Sequence, residues 1–508
     1  MIHTEPIGFV CGTKADSVSF LVNKGICLSF GQIVRIDSGE RNFYARVVNS
    51  ESSSTLEVIE QLREAEGKEA FGPYSAYRNV DAMLFLEKHR GRIRSPTFNP
   101  NYRDKVYAAN DADCSILKLS GDLELGRLRS EDQLLGSVGI NVEAVPRMMG
   151  MFGMTGSGKT NTELILNAQI IDNPKTVALI FDFAGQLLDG KEINPQRGLK
   201  DHPLFSPKVQ YYSSRNGKMT VGLHTITPRK LDILFPDIQP PQRRIAWQLY
   251  KQFGASWIEA SRDNYQSNAN FLKANKSALE ALIQKLISLP QDLFPASTYT
   301  FVDGVLQNIC SGITCLIDIS GLRSEDQNRI VCLTTSSVAE HYKRMWEEHY
   351  EDWQKLPTLL ITLEEAHEFL DPNKPKTIFS DIALTYRKYR VGLNAVTPRP
   401  SRINFDVFAE LWTKVIMKTE LKKDRIYLTE NTPYMEYSET EIKMLDVGEA
   451  LLVSEPKMKF AVPIKVTHYP EYLEKHKHTD HSLPDSSNLS SMDDRLRMLN
   501  KQHSLSLE

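Results

Sequence analysis

The sequence predicts an α/β chain in three parts: a small β-barrel over residues 1–115, a parallel-sheet domain over 116–470 with a helical insertion at about 228–298, and a polar arm over 471–508. Three observations predict this. Short β-branched and aromatic runs separated by Gly, Ser and Asn fill the first part. From about 148 to 465, apolar runs of strand length alternate with helical stretches. After about 470 the chain turns polar.

In the first part the strand candidates are SVSFLV (17–22), GQIVRID (31–37), NFYARVV (42–48) and AMLFLE (82–87). Their spacing reads as an antiparallel barrel. Residues 116–147 read as a connector into the next domain. There the candidates are MMGMF (148–152), TVALIFDF (176–183), ITCLIDIS (313–320), TLLITL (358–363), VGLNAVT (391–397) and KVIMKT (414–419). Apolar runs between helices indicate a parallel sheet covered on both faces. QRRIAWQLYKQF and SALEALIQKLISL place helices in the 228–298 insertion. In the arm, residues 478–494 are too polar to bury, and DRLRMLNKQ reads as one short docking helix.

Of the 508 residues, 41% are hydrophobic and 25% charged, which excludes a mainly disordered or fibrous chain. With 61 Lys and Arg against 64 Asp and Glu, the formal net charge is −3, so a uniformly basic coat for nucleic acid is excluded while a local basic groove is not. The six cysteines form no CxxC pair, which argues against a zinc ribbon and suits a reducing compartment. No signal-peptide pattern opens the chain and no run of about 18 apolar residues occurs, so a cytoplasmic protein without a membrane span is expected.

The run Gly153, Met154, Thr155, Gly156, Ser157, Gly158, Lys159, Thr160 fits G-x-x-x-x-G-K-[ST] in full. With Asn161 it forms the expected nucleotide-binding segment, between a predicted strand and a predicted helix. The glycines let backbone N–H groups curl toward phosphate oxygens, and the helix start adds its dipole. Lys159 supplies a cation for the β and γ phosphates, and the Thr160 hydroxyl reaches Mg²⁺. ATP and Mg²⁺ are therefore the expected cofactors.

Such a loop needs an acidic strand end beside it. TLLITL runs straight into Glu364 and Glu365. Glu364 is expected to organise Mg²⁺ through water, and Glu365 to act as general base or to orient water. A solvated first helical turn is the competing reading of this pair. His367 follows, as a packing side chain or as a relay of nucleotide state.

MGMFGMTGSGKTNTE, IFDFAGQ, LLITLEEAHEFL and YRKYRVGLNAVTPRPSRI together resemble the HerA branch of the FtsK–HerA P-loop translocases. Their order and spacing match over about 150–420, and the β-rich start resembles that family's N-terminal barrel. The resemblance implies a RecA-like ATPase domain, a homohexameric ring and movement of double-stranded DNA through its centre. It implies an arginine finger supplied across the subunit boundary. Arg387 falls on that position, with Lys388 as a secondary candidate, although Tyr386 and Arg390 stand where the family has glycines.

Two other departures stand out. The family's γ-phosphate-sensing glutamine is replaced by Pro398 within Thr397, Pro398, Arg399, Pro400, so the sensor is missing or supplied by Thr397 or Arg399. Asp182 is retained at the end of the second strand, but Gln186 replaces an acid. The resemblance further implies a partner that carries an effector activity: a NurA-type nuclease, or a sirtuin-like NADase or nuclease in antiphage defence. An ATP-binding scaffold that activates such an effector is the alternative of another class. Candidate DNA loops are 190–200 and 213–220.

Overall fold

Six N-terminal strands of the computed structural model close on themselves. They are β1 (Gly8–Thr13), β2 (Ser17–Val22), β3 (Ile33–Ser38), β4 (Arg41–Ser52), β5 (Arg78–His89) and, after the three-residue edge strand β6 (Arg92–Arg94), β7 (Lys105–Ala108). The order is β2-β1-β7-β3-β4-β5, and β5 returns to pair with β2, so the barrel has no open edge in this ring. Alternate residues point inward: Val18, Phe20 and Val22 from β2, Val34 and Ile36 from β3, Phe43, Ala45 and Val47 from β4 form one apolar core. The structure describes residues 5–14, 16–23, 26–52, 78–130, 133–189, 198–216, 219–263, 276–296, 299–374 and 376–476.

The second sheet has eleven strands. These are β8 (Leu123–Ser130), β9 (Gln133–Ile140), β10 (Met149–Phe152), β11 (Thr176–Asp182), β12 (Val209–Ser213), β13 (Thr314–Asp318), β14 (Thr358–Leu363), β15 (Val391–Thr397), β16 (Thr413–Met417), β17 (Glu449–Ser454) and β18 (Val462–Val466). The order is β12-β13-β11-β14-β15-β10-β16-β17-β18-β8-β9. The strands from β12 through β16 are parallel, and those from β17 through β9 add on antiparallel. The central parallel strands are buried along nearly their whole length, as a sheet covered on both faces requires.

All six strands expected in this domain are present. The stretch 116–147, read as a connector, instead supplies β8 and β9, the far edge of the same sheet. The insertion is helical as expected, with helices at Pro240–Phe253, Trp257–Asp263 and Lys276–Ile287. Its apolar faces join the main core through Ile245, Leu249, Trp257, Leu282 and Leu286.

Barrel and sheet meet through a buried ion pair and a ring stack. Arg46 on β4 pairs with Glu441, and Phe85 on β5 stacks on Phe460 with ring centroids 3.8 Å apart. The chain divides into two compact units, Met1–Thr467 and His468–Glu508. In the second, residues 468–476 are described and hold the helix Tyr469–His476; the expected polar arm beyond it lies outside the described residues. No described helix is long and apolar enough to cross a membrane.

Candidate active site

The phosphate loop leaves β10 at the carboxyl end of the sheet and enters the helix Lys159–Asp172. β10 lies between β15 and β16, with Phe152 level with Thr397 on one side and Ile416 on the other. Gly156 and Gly158 take φ of +81° and +107°, the left-handed region that a side chain disfavours. A Cβ on Gly158 would also sit 3.1 Å from the backbone nitrogen of Gly448. The loop is pinned from outside: Met154 N–H donates to Lys418 O at 2.8 Å, and Gly448 N–H donates to Ser157 O at 3.0 Å. The Lys159 ammonium donates to the carbonyls of Gly153 and Met154 at 2.7 and 2.9 Å, so it is curled over the loop it serves. Thr160 Oγ1 donates to Gln186 Oε1 at 3.1 Å, and Asn161 Nδ2 to Thr467 O at 3.0 Å.

Two strand ends carry acids beside this loop. Asp182 closes β11 and accepts N–H bonds from Gly185, Gln186 and Leu187. Glu364 follows β14, and its Oε2 accepts the Phe183 N–H at 3.0 Å, stitching the two ends together. Burial pushes the Asp182 carboxyl up to about 6. Burial, then the neighbouring Asp182, pushes Glu364 up to about 8. Burial also lowers the pKa of Lys159, against the pull of Glu163, Glu365 and Glu364. Glu365 differs from its neighbour: it is exposed and has φ of +48°.

The fully buried Glu163, one turn after Lys159 in the loop helix, was not apparent from the motifs. Among the described residues its Oε1 finds no hydrogen-bond partner, and burial together with Glu364 raises its pKa well above the usual carboxylate range. The only sequence signal is an acid inside the apolar face of TELILNAQII. His367, left open between packing and relay, is buried against the end of β15, with Nδ1 2.9 Å from Thr397 Oγ1.

Arg387 is not beside this loop. It lies in the single turn Tyr386–Tyr389, which precedes β15, at the amino end of the sheet. The seven residues of β15 separate the two edges, about 20 Å at roughly 3.3 Å per residue. Its guanidinium lies 5.0 Å from the Trp412 ring, with Arg147 5.1 Å from the same ring, and they border a cavity of about 390 Å³. Lys388 lies 4.8 Å from the Trp346 ring. Of the expected DNA loops, residues 190–197 and 217–218 lie outside the described residues.

Residues 123–338 match the family described as helicase HerA, central domain. The DNA double-strand break repair helicase HerA of Saccharolobus solfataricus is 23% identical over 416 residues, covering 79% of each chain. The helicase of the same name from Pyrococcus furiosus is 22% identical, covering 92% of this chain and 93% of that one. Among solved structures, VirB4 of Thermoanaerobacter pseudethanolicus overlays on 69% of this chain and 98% of its own at 14% identity, with a TM-score of 0.48. Residues 123–338 thus carry the HerA-helicase central domain, and the chain is similar over most of its length to proteins named as HerA helicases.

Proposed function

We propose that this ATPase is the motor of a homohexameric ring that moves double-stranded DNA. One observation carries the reading. Lys159 and Arg387 lie at opposite ends of the strands of one sheet, Lys159 after β10 and Arg387 before β15. A single copy therefore cannot bring the arginine to its own phosphate loop, whereas adjacent copies in a ring can, which is the arginine-finger arrangement. The curated relatives, named as DNA repair helicases, support DNA as the polymer that is moved.

In this reading the loop N–H groups and Lys159 hold the ATP phosphates. The oxygen donors Thr160 and Glu364 suit a hard cation, so Mg²⁺ would be held there and would offset phosphate charge. Glu365, exposed at the strand end, takes the proton of the attacking water. Arg387 from a neighbouring copy stabilises charge on the transferred phosphoryl group. Thr397 or Arg399 replaces the absent glutamine sensor.

The barrel is the docking face for an effector, a nuclease of the NurA type or a sirtuin-like NADase or nuclease, and the assembly serves antiphage defence. The barrel supports this part because its core is closed and apolar, leaving its outer face for binding, and ring copies multiply weak contacts.

The experiment is a steady-state ATPase assay with and without double-stranded DNA. The wild-type rate is expected to rise with DNA. Glu365→Gln is expected to keep ATP bound and to slow hydrolysis on the order of 10²-fold. A Glu365→Gln protein at the wild-type rate would reject the base assignment, and a rate indifferent to DNA would reject the motor.

A further inference from the structure

His367 occupies a junction that the reaction described above leaves unused. It is buried, three residues beyond Glu364. Its Nδ1 lies 2.9 Å from Thr397 Oγ1 and 3.3 Å from Glu365 Oε2. Its Nε2 lies 3.4 Å from Glu368 Oε1. Thr397 is the last residue of β15, and its Oγ1 also accepts the Arg399 N–H at 3.0 Å. A second tie runs alongside, from Ala366 N–H to Val396 O at 3.0 Å. One imidazole thus bridges the acid after β14 and the strand end at which the family's sensor has been lost.

The bridge answers a problem posed by Glu365 itself. A non-glycine residue at φ of +48° persists only where its surroundings hold it there. An exposed glutamate side chain also samples many rotamers, whereas a base must be aimed. The charged groups around the ring are Glu365 and Glu368 on its own segment and Arg399 and Arg402 after β15. Each ring nitrogen faces a carboxylate, Nδ1 that of Glu365 and Nε2 that of Glu368, and the tautomer protonated at Nδ1 presents its N–H to both Glu365 and Thr397 Oγ1.

We propose that His367 is a positioning residue for hydrolysis. Its Nδ1–H fixes the Glu365 carboxylate relative to Thr397, so the aim of the base follows the position of β15. This rests on the assignment of Glu365 as base, and the test separates the two. The kcat and KM for ATP are measured on the full chain with DNA for His367→Ala, His367→Asn, His367→Gln, Glu365→Gln and the double variant Glu365→Gln/His367→Ala.

His367→Ala is expected to lower kcat about tenfold or more with KM within about twofold. Asn, whose amide nitrogen can stand in for Nδ1, is expected to recover most of that loss, and Gln, which reaches toward Nε2, is not. The double variant is expected to match Glu365→Gln within about twofold, because a residue acting only through another adds nothing once that one is gone. The inference is overturned if His367→Ala turns over at the wild-type kcat, if Gln rescues and Asn does not, or if the double variant is slower than Glu365→Gln by the full factor of the single. A wild-type rate for Glu365→Gln removes the base, and with it the inference; a slow Glu365→Gln beside a normal His367→Ala removes the inference alone. Where the alanine variant does not fold, the Asn and Gln pair decides.

Discussion

Glu364 is a buried acid whose one hydrogen bond among the described residues comes from the Phe183 N–H, and its burial favours the protonated form. Its folded pKa of about 8 lies above the 4.5 of a free glutamate. Between these values the folded chain binds more protons than the unfolded one, so stability falls as pH rises from about 4.5 to about 8. Glu364→Gln keeps the shape and removes the titration. The urea-midpoint difference, wild type minus variant, is therefore expected to become less favourable across that window and to level off above it. A flat difference would show that burial does not hold the proton there. At this scale Lys159, Glu364 and Glu365 were legible, because loop chemistry and a strand-end acid are local patterns. Glu163 was not, since a lone acid in an apolar helix face belongs to no motif. Nor was the His367–Thr397 contact, which joins residues thirty positions apart.

The joint between barrel and sheet is an element-scale feature. Arg46 from β4 and Glu441 from the helix Glu439–Met444 are each about 95% buried, and Arg46 Nη1 also donates to Ser438 Oγ at 3.1 Å. Arg129 of β8 reaches the other Glu441 oxygen at 3.2 Å. Removing one partner of a buried pair leaves charge uncompensated, which costs about 3–5 kcal/mol. Arg46→Ala is expected near the lower end, about 3 kcal/mol, because Arg129 remains; denaturant unfolding measures it, and a loss within about 0.5 kcal/mol would contradict the role. The buried parallel strands were legible from their apolar runs. β8 and β9 were not, because glycines and charges interrupt them. Gly126 shows why: a Cβ there would lie 2.1 Å from Lys465 O, so close approach to β18 demands the residue that hides the strand. Such a pairing reaches across more than three hundred residues and leaves no local trace.

At the scale of the whole molecule, the geometry that matters is the span of one sheet. The phosphate loop and the acids stand at its carboxyl edge, and Arg387 stands at the other, beside Trp412. The position of Arg387 could be named from the family resemblance, but its distance from its own loop could not, because that follows only from the direction of β15. If catalysis is completed between copies, two inactive proteins should repair each other. Arg387→Ala retains its own loop and lacks the finger; Lys159→Ala retains the finger and lacks a working loop. Mixed in one assembly, some boundaries pair an intact loop with an intact arginine. The decisive measurement is the ATPase rate of such a mixture, titrated across ratios, with co-assembly verified by light scattering. The account predicts a rate above that of either protein alone, greatest at intermediate ratios. A mixture that co-assembles and stays at the sum of its two inactive parts at every ratio would contradict it.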